Sequence, residues 1–162
     1  MFEINETPEC IEMVKERRNK ELKLNEFMLS EKNRLAEKVD YYTPLLKNLR
    51  ELAEKSAVRK EYSNNENGIY RGYYCPSPVD DLIIGGCRRG KLLKRITKRT
   101  NPEREYLFDS NNRLVAVNSL LDWKAVRTEV LIYEDNLVTG INIDNYDNSI
   151  IKLSECIYDS DN

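Results

Sequence analysis

Histidine is absent from this 162-residue chain, and tryptophan occurs once. Without histidine, Ser-His-Asp and Cys-His catalysis and most transition-metal sites are excluded. Glycine and proline are scarce, at six and five residues, and no G-x-G-x-x-G, P-loop or G-x-S-x-G spacing occurs. Gly85-Gly86-Cys87-Arg88-Arg89-Gly90 has neither the spacing of a phosphate loop nor a clear strand before it. The four cysteines, Cys10, Cys75, Cys87 and Cys156, form no C-x-x-C pair and read as small hydrophobes in a reducing compartment. A Cys75–Cys87 disulfide would need an oxidising compartment that nothing else indicates. Cys87, beside two arginines, lacks the base that would make it a working nucleophile. No apolar run approaches the roughly 20 residues a bilayer requires. Met1-Phe2-Glu3-Ile4-Asn5-Glu6 lacks the basic start and apolar stretch of a secretory signal. The expectation is a soluble cytoplasmic protein that is not an enzyme and needs no cofactor.

What is present is charge, and it is segregated. Apolar residues make up 40% of the chain and charged residues 33%, enough for a core under a heavily charged surface. Residues 1–62 carry 13 acidic and 13 basic side chains. Residues 88–104 carry eight basic residues and one acidic, net +7. Residues 105–162 carry eleven acidic and four basic, net −7. Three regions follow, expected to form one globular unit: a helical segment over 1–62, a linker over 63–90 with a short strand or helix, and a hairpin-repeat sheet over 91–162.

Residues 8–39 are rich in Glu, Lys, Arg, Leu and Met, with Thr7-Pro8 as an N-cap and first helical position. The apolar positions Ile11, Val14, Leu24, Met28, Leu35 and Val39 are interrupted by Arg17-Arg18-Asn19-Lys20, so the first turns are poorly amphipathic and are expected to project from the body. Thr43-Pro44 announces a second helix running to about Arg59. Tyr42, Leu45, Leu46, Leu49, Leu52 and Ala53 share one of its faces, and Glu51 and Lys55 stand in the favourable i,i+4 order. The two helices are expected to form a hairpin over one face of the sheet. No heptad persists long enough for a coiled coil. The polar stretch 63–68 reads as a turn and 69–75 as a short strand. Residues 79–84 fit a single helical turn and a buried strand equally.

The strongest pattern is internal repetition. Leu107-Phe108-Asp109-Ser110-Asn111-Asn112-Arg113-Leu114-Val115 recurs as Ile132-Tyr133-Glu134-Asp135-Asn136-Leu137-Val138 and begins again at Ile157-Tyr158-Asp159-Ser160-Asp161-Asn162, with the aromatics 25 residues apart. An apolar residue, an aromatic, an acid, an Asp/Asn turn and a fresh apolar strand spell a β-hairpin. Strands are expected near 91–97, 104–109, 113–120, 128–134, 137–144 and 149–158. Short links make sequential strands neighbours. The fold class is therefore α+β: an N-terminal helical hairpin followed by an antiparallel meander of about six strands. Simple alternation places Leu114, Ala116 and Asn118 on one face, with Val115, Val117 and Ser119 on the other. The last strand is expected to be an unpaired edge, or the natural chain to continue past Asn162.

Phe108-Asp109-Ser110-Asn111-Asn112-Arg113-Leu114 resembles the YD repeats of Rhs-type polymorphic toxin proteins, in which an aromatic-acid pair precedes a turn, an Arg and a Leu. Asn112 stands where that family has a turn glycine, and the copies are too few for the family's closed shell. The resemblance implies hairpin geometry. By association it also implies one of the small meander proteins that accompany such toxins as immunity proteins.

Two surfaces are candidates for binding. The acidic turns, Glu134-Asp135, Asp144 with Tyr146 and Asp147, and Asp159 with Asp161, would suit the basic cleft of a toxin nuclease, steering fast association; ordinary turn chemistry explains the same residues. Trp123, in the connection after Leu121, is either a core plug or an interface anchor. The basic run Arg88, Arg89, Lys91, Lys94, Arg95, Lys98, Arg99 and Arg104 suits phosphate contacts, or else pairs with the acidic meander. It lacks a neighbouring aromatic platform in the sequence. A calcium site at Asp159 and Asp161 falls short of the six to eight oxygens required, so no metal is expected. The leading expectation is an immunity protein that occludes a cognate toxin domain. The alternatives are a nucleic-acid-binding module using 88–104 and a structural fragment of a longer repeat protein.

Overall fold

The computed structural model describes residues 8–64, 73–74, 90–97 and 99–157, with side chains from Glu12 onward. The readings made for 75–89, for Lys98 and for the third hairpin copy after Ile157 lie outside the described residues, as does most of the strand expected over 69–75; Tyr73 and Tyr74, which are described, sit in a bend. Helix α1 spans Pro8–Tyr42, a 3-10 turn spans Thr43–Leu45, and α2 spans Leu46–Ser56. Where two helices joined by a turn were expected, helical backbone continues without a loop. Pro44 falls in the first turn after Tyr42, where its missing N–H is no loss.

The chain divides into two compact units, Met1–Asp40 and Tyr41–Asn162. The division falls well before residue 62, so α2 belongs with the sheet. The described part of the first unit lies in helix α1, and its apolar residues find little cover. Met13, Val14, Leu22, Leu24, Phe27, Met28 and Leu29 are all more than half exposed. Its polar residues pair along its own surface, Arg17 with Glu21 and Arg34 with Glu31. No helix among the described residues is long and apolar enough to cross a membrane.

The second unit is a seven-stranded antiparallel sheet in the order β2-β1-β3-β4-β5-β6-β7. Its strands are β1 Arg59–Asn64, β2 Lys91–Leu92, β3 Arg104–Phe108, β4 Leu114–Leu121, β5 Lys124–Glu134, β6 Leu137–Asp144 and β7 Ser149–Ile157. The meander β3 to β7 is as expected, and β7 is an edge. Strand β1 was not expected: the helix was expected to run to about Arg59, within a helical segment ending at residue 62, and 63–68 to form a turn. Instead α2 stops at Ser56, Ala57 is extended, and β1 inserts between β2 and β3. No apolar alternation marks β1. It is held by its ladder and by polar cross-strand pairs, Lys60 and Tyr62 with Glu105, and by the Arg59 guanidinium 3.8 Å above the Phe108 ring.

Strand β2 is shorter than the expected 91–97. Leu93 N–H still donates to the Tyr62 carbonyl at 2.8 Å, but the chain then bends, and Thr97 and Thr100 close a turn on their hydroxyls. Strand β5, conversely, begins at Lys124, so the link from β4 is only Asp122-Trp123.

A bulge also corrects the facing of β4. Leu107 pairs with Ala116 and Phe108 with Leu114, which leaves Val115 as the extra residue. Val115 consequently joins Ala116 under α2, and Leu114 packs on the other face with Phe108. The first core joins Tyr42, Leu46 and Ala53 to Leu107, Val115, Ala116, Val130, Ile141 and Ile143. Leu52, expected on the inward face, is 64% exposed. The opposite face carries Tyr106, Phe108 and Val117 under Tyr73 and Tyr74. There the Tyr106 hydroxyl accepts the Tyr73 N–H at 2.7 Å and meets Ser63 Oγ at 3.0 Å. Burial raises the Tyr106 phenol above its ordinary range.

Candidate binding surfaces at the two turn ends

In a meander, alternate turns fall at opposite ends, so the acidic turns do not gather in one place. One end carries residues 109–113 and Glu134-Asp135; the other carries Asp122-Trp123 and residues 144–149. Asp159 and Asp161 lie outside the described residues.

At the first end, the repeat motif explains itself. Asp109 accepts from the backbone N–H groups of Asn111 and Arg113 at 2.9 and 2.8 Å and from the Arg113 guanidinium at 2.9 and 2.8 Å. Burial works against its charge, but these donors outweigh it and hold the carboxyl below its usual range. Asn112 has φ 61°, the left-handed conformation that a glycine would supply, and its side chain accepts from Arg59 at 2.6 Å. Arg113 also lies 5.0 Å from the Tyr133 ring. The acids of this end are thus interleaved with a committed arginine. Glu134 and Asp135 are exposed.

At the second end, the turn after β6 is braced by its own side chains. Asp144 Oδ1 accepts the Tyr146 N–H at 2.9 Å. Asp147 Oδ1 accepts the Ser149 N–H and hydroxyl at 3.0 and 2.6 Å. Asn145 donates through Nδ2 to the Ala125 carbonyl and to Thr128 Oγ1 at 3.0 and 2.9 Å. From α2, Arg50 reaches across to donate to Asn145 Oδ1 at 2.7 Å and Asn148 Oδ1 at 2.5 Å. Asn148 takes φ 58°. Tyr146, at the apex of this frame, is 79% exposed.

The brace continues as a polar row across the sheet face. Thr128 donates to Asn118 at 2.8 Å, and Asn118 donates to Glu105 at 2.7 Å. Glu105 also receives Lys60 at 3.1 Å and the Tyr62 hydroxyl at 2.9 Å. Burial pushes Glu105 up, but its three donors outweigh burial and leave the carboxyl below its ordinary value. The Tyr62 phenol is pushed up to about 12, by burial first and then by the Glu105 carboxylate it donates to.

Trp123 is not a core plug. It is 46% exposed, standing in a tight turn where Asp122 and Trp123 have φ 48° and 67°, edge-on to Tyr62 with ring centroids 5.8 Å apart. Of the basic run, Lys94, Arg95 and Arg99 are exposed and make no ion pair with a described residue. Lys91 lies in β2, and Arg104 donates to Ser119 Oγ from β3. Arg88, Arg89 and Lys98 are outside the described residues. Sequence reasoning missed Arg50, Asn145, Glu105 and Tyr62, because their roles depend on partners up to 98 residues away in the chain. Only Tyr62 left a trace, as an aromatic in an otherwise polar stretch.

No protein-family model, no curated protein and no solved structure matches the chain.

Proposed function

We propose that this protein is a non-catalytic protein-binding module whose partner surface is centred on Tyr146 in the turn after β6. In its most concrete form it is a bacterial immunity protein that acts in the cytoplasm by occluding a cognate toxin domain. One observation carries the reading: a tyrosine 79% exposed stands on a turn whose Asp, Asn and Ser side chains, and an arginine from α2, are spent on holding that turn still. Tyrosine is enriched among interface residues that dominate affinity. A turn already rigid loses little conformational entropy on binding. Asp144 and Asp147 each use Oδ1 inside the turn, so their charge stays at the surface to steer a basic partner.

The test is a pull-down against the product of the neighbouring upstream gene, followed by calorimetry on any complex. Tyr146→Ala should weaken a one-to-one complex by roughly 10- to 100-fold, the range of an interface hot spot, with the melting temperature unchanged. Reversing Asp144 and Asp147 to Lys is a poorer probe, because each carboxylate also caps a backbone N–H of the turn. A complex that Tyr146→Ala leaves within about twofold would move the interface away from this turn.

A further inference from the structure

We infer that the β1–β2 edge, with Trp123 leaning on it, is a second binding surface, and that it takes single-stranded nucleic acid. It lies at the same end of the sheet as the Tyr146 turn, toward the opposite edge strand. In the sequence the basic run had no aromatic platform beside it; the fold supplies one. Leu93 N–H is bonded to the Tyr62 carbonyl, so the basic stretch that continues into Lys94 and Arg95 leaves the sheet beside Tyr62. Trp123, brought over from the β4–β5 turn, meets the ring of the same Tyr62 at 5.8 Å. Exposed cations beside an exposed indole backed by the half-buried Tyr62 ring suit a strand whose phosphates pair with the former and whose bases stack on the latter.

Trp123 itself points the same way. Both central residues of its turn have positive φ, the pattern of a type I′ hairpin, which favours Asn-Gly or Asp-Gly. A bulky side chain in the second position is strained, and such strain persists where it serves a function. At 46% exposure the indole fills no core. Of the acids near this surface, Asp122 stands beside Trp123 in the turn and is exposed, whereas Glu105 has both oxygens engaged by Lys60, Tyr62 and Asn118. Glu61 is likewise engaged, by Arg59 and by the Tyr74 hydroxyl. Free phosphate or an acidic peptide would account for the cations but leave the exposed Trp123 indole without a partner. Duplex DNA would offer phosphates and keep its base faces stacked away.

The experiment titrates the protein with a fluorescein-labelled oligo-deoxythymidylate of about 20 nucleotides, read by anisotropy at several salt concentrations. The expected result is saturable binding accompanied by quenching of the Trp123 fluorescence, which is unambiguous because the chain has no other tryptophan. With Lys94, Arg95 and Arg99 contributing, log K should fall against log salt with a slope of about −2. Trp123→Gly should weaken binding by roughly 5- to 100-fold while raising the melting temperature, since glycine is what the turn prefers. Lys94→Glu with Arg95→Glu should also weaken binding and flatten the salt slope by about 1.4. The inference fails if no saturable binding appears at about 50 mM salt, if Trp123→Gly and the charge reversal both leave binding intact, or if a duplex of the same length binds as tightly. A protein complex that Trp123→Gly abolishes, with no oligonucleotide binding, would also overturn it.

Discussion

The helix that opens the chain and the sheet that follows are built on different grounds. Helix α1 rests on local preference. Its residues favour helix individually, its ion pairs are three or four residues apart, and its apolar side chains from Met13 to Leu29 are more than half exposed. The sheet unit rests on distant partners: α2 lays Leu46 and Ala53 on strands that follow it by 50 to 100 residues, and Arg50 braces a turn 95 residues away. Helix propensity supplies at most a fraction of a kcal/mol per residue, whereas a buried aliphatic side chain supplies about 1.5–3 kcal/mol. The two regions should therefore respond very differently to the same kind of substitution.

The largest effect is expected at the contact that ties α2 to the sheet. Leu46 is fully buried, and Leu46→Ala should lower stability by about 2–5 kcal/mol. Urea unfolding followed by Trp123 fluorescence checks this, because Trp123 sits in the β4–β5 turn of the same unit. A loss below about 1 kcal/mol would mean that α2 is dispensable to the sheet. Next is Glu105→Ala, which strips the acceptor from Tyr62, Lys60 and Asn118 at once. A loss of about 1–3 kcal/mol is expected, with Tyr62 titrating closer to its ordinary pKa.

How much of this was legible follows the same division. The helix from Pro8 and the hairpins around Asp109 and Asp135 carry their signals within a few residues, in propensity, alternation and turn chemistry. Strand β1 does not: Arg-Lys-Glu-Tyr-Ser-Asn has no apolar face, and its place in the sheet depends on Glu105 and Phe108 across the ladder. The β4 bulge was equally silent, since Leu114-Val115-Ala116-Val117 is apolar at every position and alternation cannot choose its parity. At the binding surfaces, the acidic turns and their fall at opposite ends could be read from the meander, but the brace from Arg50 behind Tyr146 could not. The ring pair of Tyr62 and Trp123 required the fold itself.

Acid should also distinguish the regions. Asp109 and Glu105 both have folded-state pKa values below their unfolded ones. Their contribution is therefore present above the unfolded values, near pH 4, and is lost as pH falls through the lower folded values. The melting temperature of the sheet unit should drop between about pH 5 and pH 2. Asp109→Asn, which cannot titrate, should reduce that slope while lowering stability at neutral pH. A slope unchanged by Asp109→Asn would mean that the Asp109–Arg113 turn does not link folding to protonation.

The smallest effect is expected in α1. Leu24 is 58% exposed, and alanine is at least as good a helix former. Leu24→Ala should therefore change the unfolding free energy of the sheet unit by no more than about 0.5 kcal/mol. Hydrogen exchange offers an independent reading, because a helix with few buried apolar contacts opens locally at low cost. Amides of α1 between Glu12 and Asp40 should exchange well before those of β4, β5 and β6, whose ladders are paired on both sides. Equal protection across helix and sheet, or a loss of 2 kcal/mol or more from Leu24→Ala, would mean that α1 stands on burial as the sheet does. Its exposed Leu, Met and Phe side chains would then have to be covered in solution.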